Sequence, residues 1–219
     1  RPWQLITHMF LHGDFSHILG NMFALWMFGS ILENVWGPKR FLLFYMLCGV
    51  GAAVIHLAIL SYQLVPLATE YERLLLLSKT NTSGFTEAIY NYSARHHIPL
   101  TQILADNKVS LSTPGLAPQL MDLMTTYYNK TVDTATLGAS GAVFGILIAF
   151  VYLFPNTYIY IYFLFPVKAK WLGIAYFAFE FYKGVQNSAG DNVARWAHVG
   201  GAVIGFILVY IWKKKGTTN

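Results

Sequence analysis

The chain has 219 residues, 55% of them hydrophobic and only 11% charged. Water-soluble domains carry about 25% charged residues, so an ordinary soluble domain is excluded. The net charge of +5 sits largely in short clusters beside apolar runs, which is a pattern of membrane topology rather than of nucleic-acid binding.

A bilayer-spanning helix needs about 20 mostly apolar residues. Runs at residues 18–36, 41–65, 137–154 and 196–212 qualify, and a shorter one lies at 171–185. Most hold polar residues: Asn21, His56, Ser140, Glu180 and His198. Such groups are costly in hydrocarbon and face a bundle interior or a watery cavity. The fold class expected is all-α, a polytopic transmembrane helical bundle in contact with the lipid bilayer.

Lys39 and Arg40 follow the first run, Lys168 and Lys170 the third, and Lys213, Lys214 and Lys215 the fifth. Alternating spans put all three clusters on one side, cytoplasmic by the positive-inside rule. Arg1 then starts on the outer side, so at least one preceding span is expected; the apolar stretch 6–11 is too short to be it. The C-terminus is expected in the cytoplasm, and a bacterial inner membrane is the expected location. The single cysteine, Cys48, lies inside the second run and reads as a small packing residue.

The organisation expected is a first outer loop and two spans over residues 1–60, an extramembrane insertion over 61–136, three spans over 137–212 and a tail over 213–219. The insertion carries nearly balanced charge and looks helical at 67–78, 86–94 and 118–129, broken by Pro99, Pro114 and Gly115. Three glycosylation-type patterns begin at Asn81, Asn91 and Asn129; in a bacterial setting they are coincidental. Residues 158–165 alternate like a strand. An isolated strand at membrane depth is excluded, so an interfacial segment or an extension of the fourth helix is expected there.

The chemistry concentrates in three places. His12 and Asp14 precede His17 and Asn21, which share a helix face at i and i+4; Asp14 or Ser16 can cap that helix. Both His17 and Asn21 can donate hydrogen bonds. Ser140 stands between Gly138-Ala139 and Gly141 at the start of an apolar run, where free N–H groups favour an anion. Gly141 and Gly145, four apart, let another helix approach closely. His198, Gly201 and Gly205 share a face of the fifth run. Facing small-residue stripes can bring an imidazole beside a hydroxyl.

The motifs Gly138-Ala139-Ser140-Gly141, His17 to Asn21, and Ala197-His198 with Gly201 and Gly205 resemble, in order and spacing, those of the rhomboid intramembrane serine proteases. The resemblance covers about residues 1–60 and 136–212. It implies a Ser140–His198 dyad with no acidic third member. It implies an oxyanion and substrate site from His17, Asn21, the Ser140 amide, Gly138 and Ala139. His12, Glu33, Phe144, Gly141, Gly201 and Gly205 become structural supports, with Glu33 anchoring the first outer loop. Phe144 stands where some members have Tyr, and Trp3-Gln4 where many have Trp-Arg.

The activity expected is endoproteolysis of transmembrane protein substrates near the outer membrane face, with no cofactor and no metal. One rival is an inactive rhomboid-like client-binding protein. Another is a transporter using His56 and Glu180. A third is a metalloprotease using His8 and His12 or His96 and His97, although no Glu follows His8 as a zinc helix requires.

Overall fold

The computed structural model describes residues 1–80, 82–96, 98–106, 116–133, 136–161, 164–186 and 194–216, and most of them are helical. The described part divides into two compact units, Arg1–Ile59 with Thr136–Asn219, and Leu60–Ala135. Asn81, His97, Pro114 and Gly115, singled out above, lie outside the described residues.

The first unit opens with a short helix α1 (Gln4–Thr7) and a 3-10 turn (His8–Phe10). Helix α2 (Phe15–Ala24) leads through a wide π turn (Leu25–Gly29) into α3 (Ser30–Trp36). Asp14, rather than Ser16, caps α2, its carboxylate accepting from the His17 backbone N–H at 2.8 Å. Gly37 ends α3 with φ of 77°, a left-handed conformation suited to glycine, and Pro38 starts α4 (Pro38–Thr80). Three described helical stretches are long and apolar enough to cross a membrane: Phe15–Trp36, Pro38–Thr80 and Arg195–Lys214.

Helix α8 (Ser140–Leu153) is different. Its 14 residues span about 21 Å at 1.5 Å per residue, less than a bilayer core. It is apolar on every side and buried nearly throughout, with Ile146 and Ala149 fully enclosed. A helix buried all round lies at the centre of its bundle. The non-helical backbone leading to Ser140 is protein-covered, as membrane depth requires: Ala139 is 1% exposed.

After α8 the chain forms a β-hairpin, β1 (Tyr158–Ile161) against β2 (Phe165–Lys168), with Tyr158 opposite Lys168. This corrects the expectation of a helix extension, the alternative to an interfacial segment. The objection to a lone strand lapses because each strand meets the backbone groups of the other. Helix α9 (Ala169–Gln186) follows, carrying Lys170, Glu180 and Lys183, and then α10 (Arg195–Lys214).

Around the far end of α8 the basic residues gather. The Arg40 guanidinium lies over the Trp212 ring at 5.7 Å, and Lys213 Nζ over Tyr152 at 4.9 Å. Lys170 N–H donates to the Pro155 carbonyl at 3.1 Å. Ser140 begins α8 at the opposite end.

The second unit contains the end of α4, then α5 (Thr82–Arg95), α6 (Leu100–Asp106) and α7 (Ala117–Val132). Helix α6 was not anticipated; α4 also runs on through Pro66, where the second apolar run was expected to stop. This unit has its own core, with Leu74, Ile89 and Met124 almost wholly enclosed. Each such side chain contributes about 1.5–3 kcal/mol by leaving water. Glu70 receives hydrogen bonds from Arg95 and, at 2.9 Å, from His96.

Candidate active site

The site grows from the turn before α8. Gly138 has φ of 115°, which side chains disfavour, and its N–H donates to the His8 carbonyl at 2.9 Å. A Cβ built there lies 2.7 Å from His17 Nε2 and 3.7 Å from Asn21 Nδ2. Only glycine therefore lets this turn pass beneath α2. Ala139, almost fully buried, accepts the Val143 N–H at 3.0 Å and closes the first turn of the helix that Ser140 begins.

Helices α8 and α10 meet backbone to backbone. A Cβ on Gly201 runs into the Gly141 carbonyl, and one on Gly205 lies 2.6 Å from Gly145 Cα. A Cβ on Gly145 would run into Cys48 Sγ and approach the Gly201 carbonyl. In lipid, helix association rests on such close packing. The approach brings Ser140 Oγ to 2.9 Å from His198 Nε2. Ser140 is half-buried and His198 buried. Phe144, one turn along α8, stacks on the imidazole at 4.3 Å and 11°.

The other imidazole nitrogen is also engaged. His198 Nδ1 lies 2.9 Å from Glu180 Oε2, and Arg195 donates to Glu180 Oε1 at 2.9 Å. An acidic group at this position corrects what the resemblance implies, a pair with no acidic neighbour. The physical reason is the packing of α9 on α10, which turns Glu180 toward His198 across 18 residues of sequence. Its signal was visible as a carboxylate inside an apolar run, and the partner was not. A carboxylate only accepts, so Nδ1 carries the proton and Nε2 presents its lone pair to the Ser140 hydroxyl.

His17 and Asn21, a turn apart on α2, both reach the turn at Gly138. Gly13 N–H points to His17 Nδ1 at 3.5 Å, leaving Nε2–H as the free donor. Asn21 is 7% exposed, and its Nδ2 has no hydrogen-bond partner among the described residues. A buried amide donor without an acceptor costs about 1–3 kcal/mol. His12 meets the His17 ring edge-on at 5.2 Å. Burial, and then the neighbouring His17 ring, hold His12 below the ordinary histidine value.

Glu33 is not brought to this site. It is exposed on α3, about 24 Å along the span from His17, and its side chain makes no hydrogen bond among the described residues. Its carbonyl instead accepts the Gly37 N–H at 2.7 Å. The anchoring role expected for it is therefore corrected: the glutamate belongs to the opposite end of the helix. The first loop is tied instead by the His8–Gly138 bond.

Most residues of the rival readings pair with other groups. His56 Nε2 pairs with Thr136 Oγ1 at 3.0 Å, while Glu180 faces His198. His8 bonds the Gln4 carbonyl and His96 bonds Glu70. Among the described residues no three His, Cys, Asp or Glu side chains gather as metal ligands.

An apolar helical bundle with a hydroxyl, an imidazole and an unpartnered amide donor around one central helix end defines a polytopic helical membrane protein. The Rhomboid domain matches residues 1–98 and 109–215, and the chain belongs to the rhomboid family. That match runs through most of the 61–136 segment, which the motif resemblance leaves out. The chain is 26% identical to RHOMBOID-like protein 12, mitochondrial, of Arabidopsis thaliana over 94% of this chain and 45% of that protein. It is 28% identical to an uncharacterized mitochondrial rhomboid protein of Schizosaccharomyces pombe over 98% of this chain and 53% of that protein. A shorter stretch, 24% of this chain and 10% of the relative, is 36% identical to Rhomboid protease GluP of Bacillus subtilis. The chain spans about half the length of the relatives it matches end to end. No solved structure matches it.

Proposed function

We propose that the chain is an intramembrane serine endopeptidase acting through Ser140 and His198. The observation that carries this reading is the 2.9 Å contact between Ser140 Oγ and His198 Nε2, within the range for a nucleophile and its base. His198 takes the hydroxyl proton as Ser140 Oγ attacks the scissile carbonyl. The developing oxyanion is met by His17 Nε2–H, Asn21 Nδ2–H and the Ser140 backbone N–H. The unpartnered Asn21 donor supports that assignment. One such donor is worth about 3 kcal/mol in the transition state. His198 then gives its proton to the leaving amine, and water, activated by the same imidazole, hydrolyses the acyl-enzyme.

The substrates are transmembrane proteins. Cleavage falls toward the end of the bilayer where α8 begins, opposite the basic clusters; the positive-inside rule makes that the outer end and puts the C-terminus inside. A helical substrate must unwind locally to expose its peptide bond. The relatives aligned over nearly the whole chain are mitochondrial by name. They support a mitochondrial membrane over the bacterial one expected from the sequence.

The test is cleavage of a fluorogenic transmembrane substrate in proteoliposomes. Ser140→Ala is expected to lose cleavage and fluorophosphonate labelling together. Cleavage by that variant at the wild-type rate sinks the proposal, and absent labelling of an intact wild type favours a client-binding protein instead.

A further inference from the structure

Glu180 is almost fully enclosed, with 2% of its surface exposed. A carboxylate so buried carries a heavy desolvation cost unless paired. Here both oxygens are used: Oε1 accepts from Arg195 and Oε2 faces His198 Nδ1, each at 2.9 Å. Arg195, its side chain 17% exposed, supplies the countercharge and is itself laid over the Phe179 ring at 5.5 Å. Phe144 covers one face of the imidazole. His198 is thus held at Nδ1 by α9, and at Nε2 and one ring face by α8.

We propose that Glu180 is a positioning residue for the Ser140–His198 pair, completing a serine–histidine–glutamate relay in which Arg195 holds the carboxylate in place. The inference rests on the protease reading above. A carboxylate at Nδ1 selects the tautomer whose Nε2 accepts the serine proton, and it faces the imidazolium when that proton arrives. In the acylation step the Ser140 proton moves to Nε2, the Nδ1 proton stays on the ring, and Glu180 remains ionised. The Nε2 proton then leaves with the amine. Glu180 touches neither substrate nor reacting atoms.

The decisive comparison is full-chain wild type against Glu180→Gln, measured for cleavage and, by nitrogen-15 NMR of histidine-labelled protein, for which ring nitrogen of His198 is protonated. The expected result is a fall in kcat of about 10²–10⁴-fold with little change in KM, and a shift of the ring proton from Nδ1 toward Nε2. Glu180→Asp, which keeps the charge one methylene shorter, is expected to recover part of the rate. Because Glu180→Gln removes one carboxylate from Arg195, the double variant Glu180→Gln/Arg195→Gln is measured alongside it and is expected to fold and show the same loss. Wild-type kcat in Glu180→Gln overturns the role of Glu180 and leaves the protease intact. A fall in kcat with the ring proton unmoved also overturns it, reducing Glu180 to a packing partner of Arg195. A wild type that cleaves no better than Ser140→Ala fails the protease reading itself, and any positioning role with it.

Discussion

Both units have cores of large apolar side chains, but they differ in how closely their helices meet. In the unit formed by Arg1–Ile59 and Thr136–Asn219, the closest helix contact has glycine on both sides, Gly141 and Gly145 against Gly201 and Gly205. In the Leu60–Ala135 unit, the centre is filled by large side chains such as Leu74, Ile89 and Met124. Hydrocarbon gives apolar side chains no reason to leave it, so backbones must touch for helices to associate. Water drives large side chains together instead. The chemistry accompanies the first style of packing. A side chain as short as that of Ser140 reaches an imidazole on another helix only where the two backbones are nearly in contact.

The contrast can be broken experimentally, starting where it is sharpest. Gly201→Val adds atoms that meet the Gly141 carbonyl. It is expected to push α10 from α8 and cut fluorophosphonate labelling of Ser140 by about 10²-fold or more, since small misplacements cost that much. Retained labelling means the glycine contact does not set the Ser140–His198 distance. Asn21→Ala keeps the helix contact but removes a donor. Its kcat is expected to fall by about 10²-fold, with Ser140 labelling reduced and the thermal midpoint unchanged or higher, because a buried unpartnered group has gone. Met124→Ala opens a cavity in the other unit and is expected to cost that unit about 2–5 kcal/mol. Hydrogen exchange should rise across α5 and α7, while labelling of Ser140 stays within about twofold of wild type, inside the scatter of near-neutral changes. A collapse of labelling there means the two packing styles are not energetically separate.

What the sequence discloses follows the same division. Apolar runs locate the spans because length and hydropathy are local properties, and the stops at Gly37 and Pro38 are equally local. Glycines near Ser140 and His198 announce a close helix contact, since little else explains small residues at that spacing in lipid. The hairpin at 158–168 is missed because each half is judged alone, whereas a strand is stable only with its partner. Glu180 is seen as a costly buried charge and left unassigned. Its neighbour depends on how α9 is rotated against α10, and periodicity within one helix does not encode that rotation. Glu33 errs the other way: its place at a helix end is legible, but which end carries the loop is settled by direction along the span.

Cys48 adds one more consequence. It is the only cysteine in the chain, wholly enclosed, with its sulfur against Gly145. Alkylation by a maleimide therefore requires that contact to breathe, and its rate becomes a native chemical clock for helix separation, readable in the unmodified protein and in any bilayer.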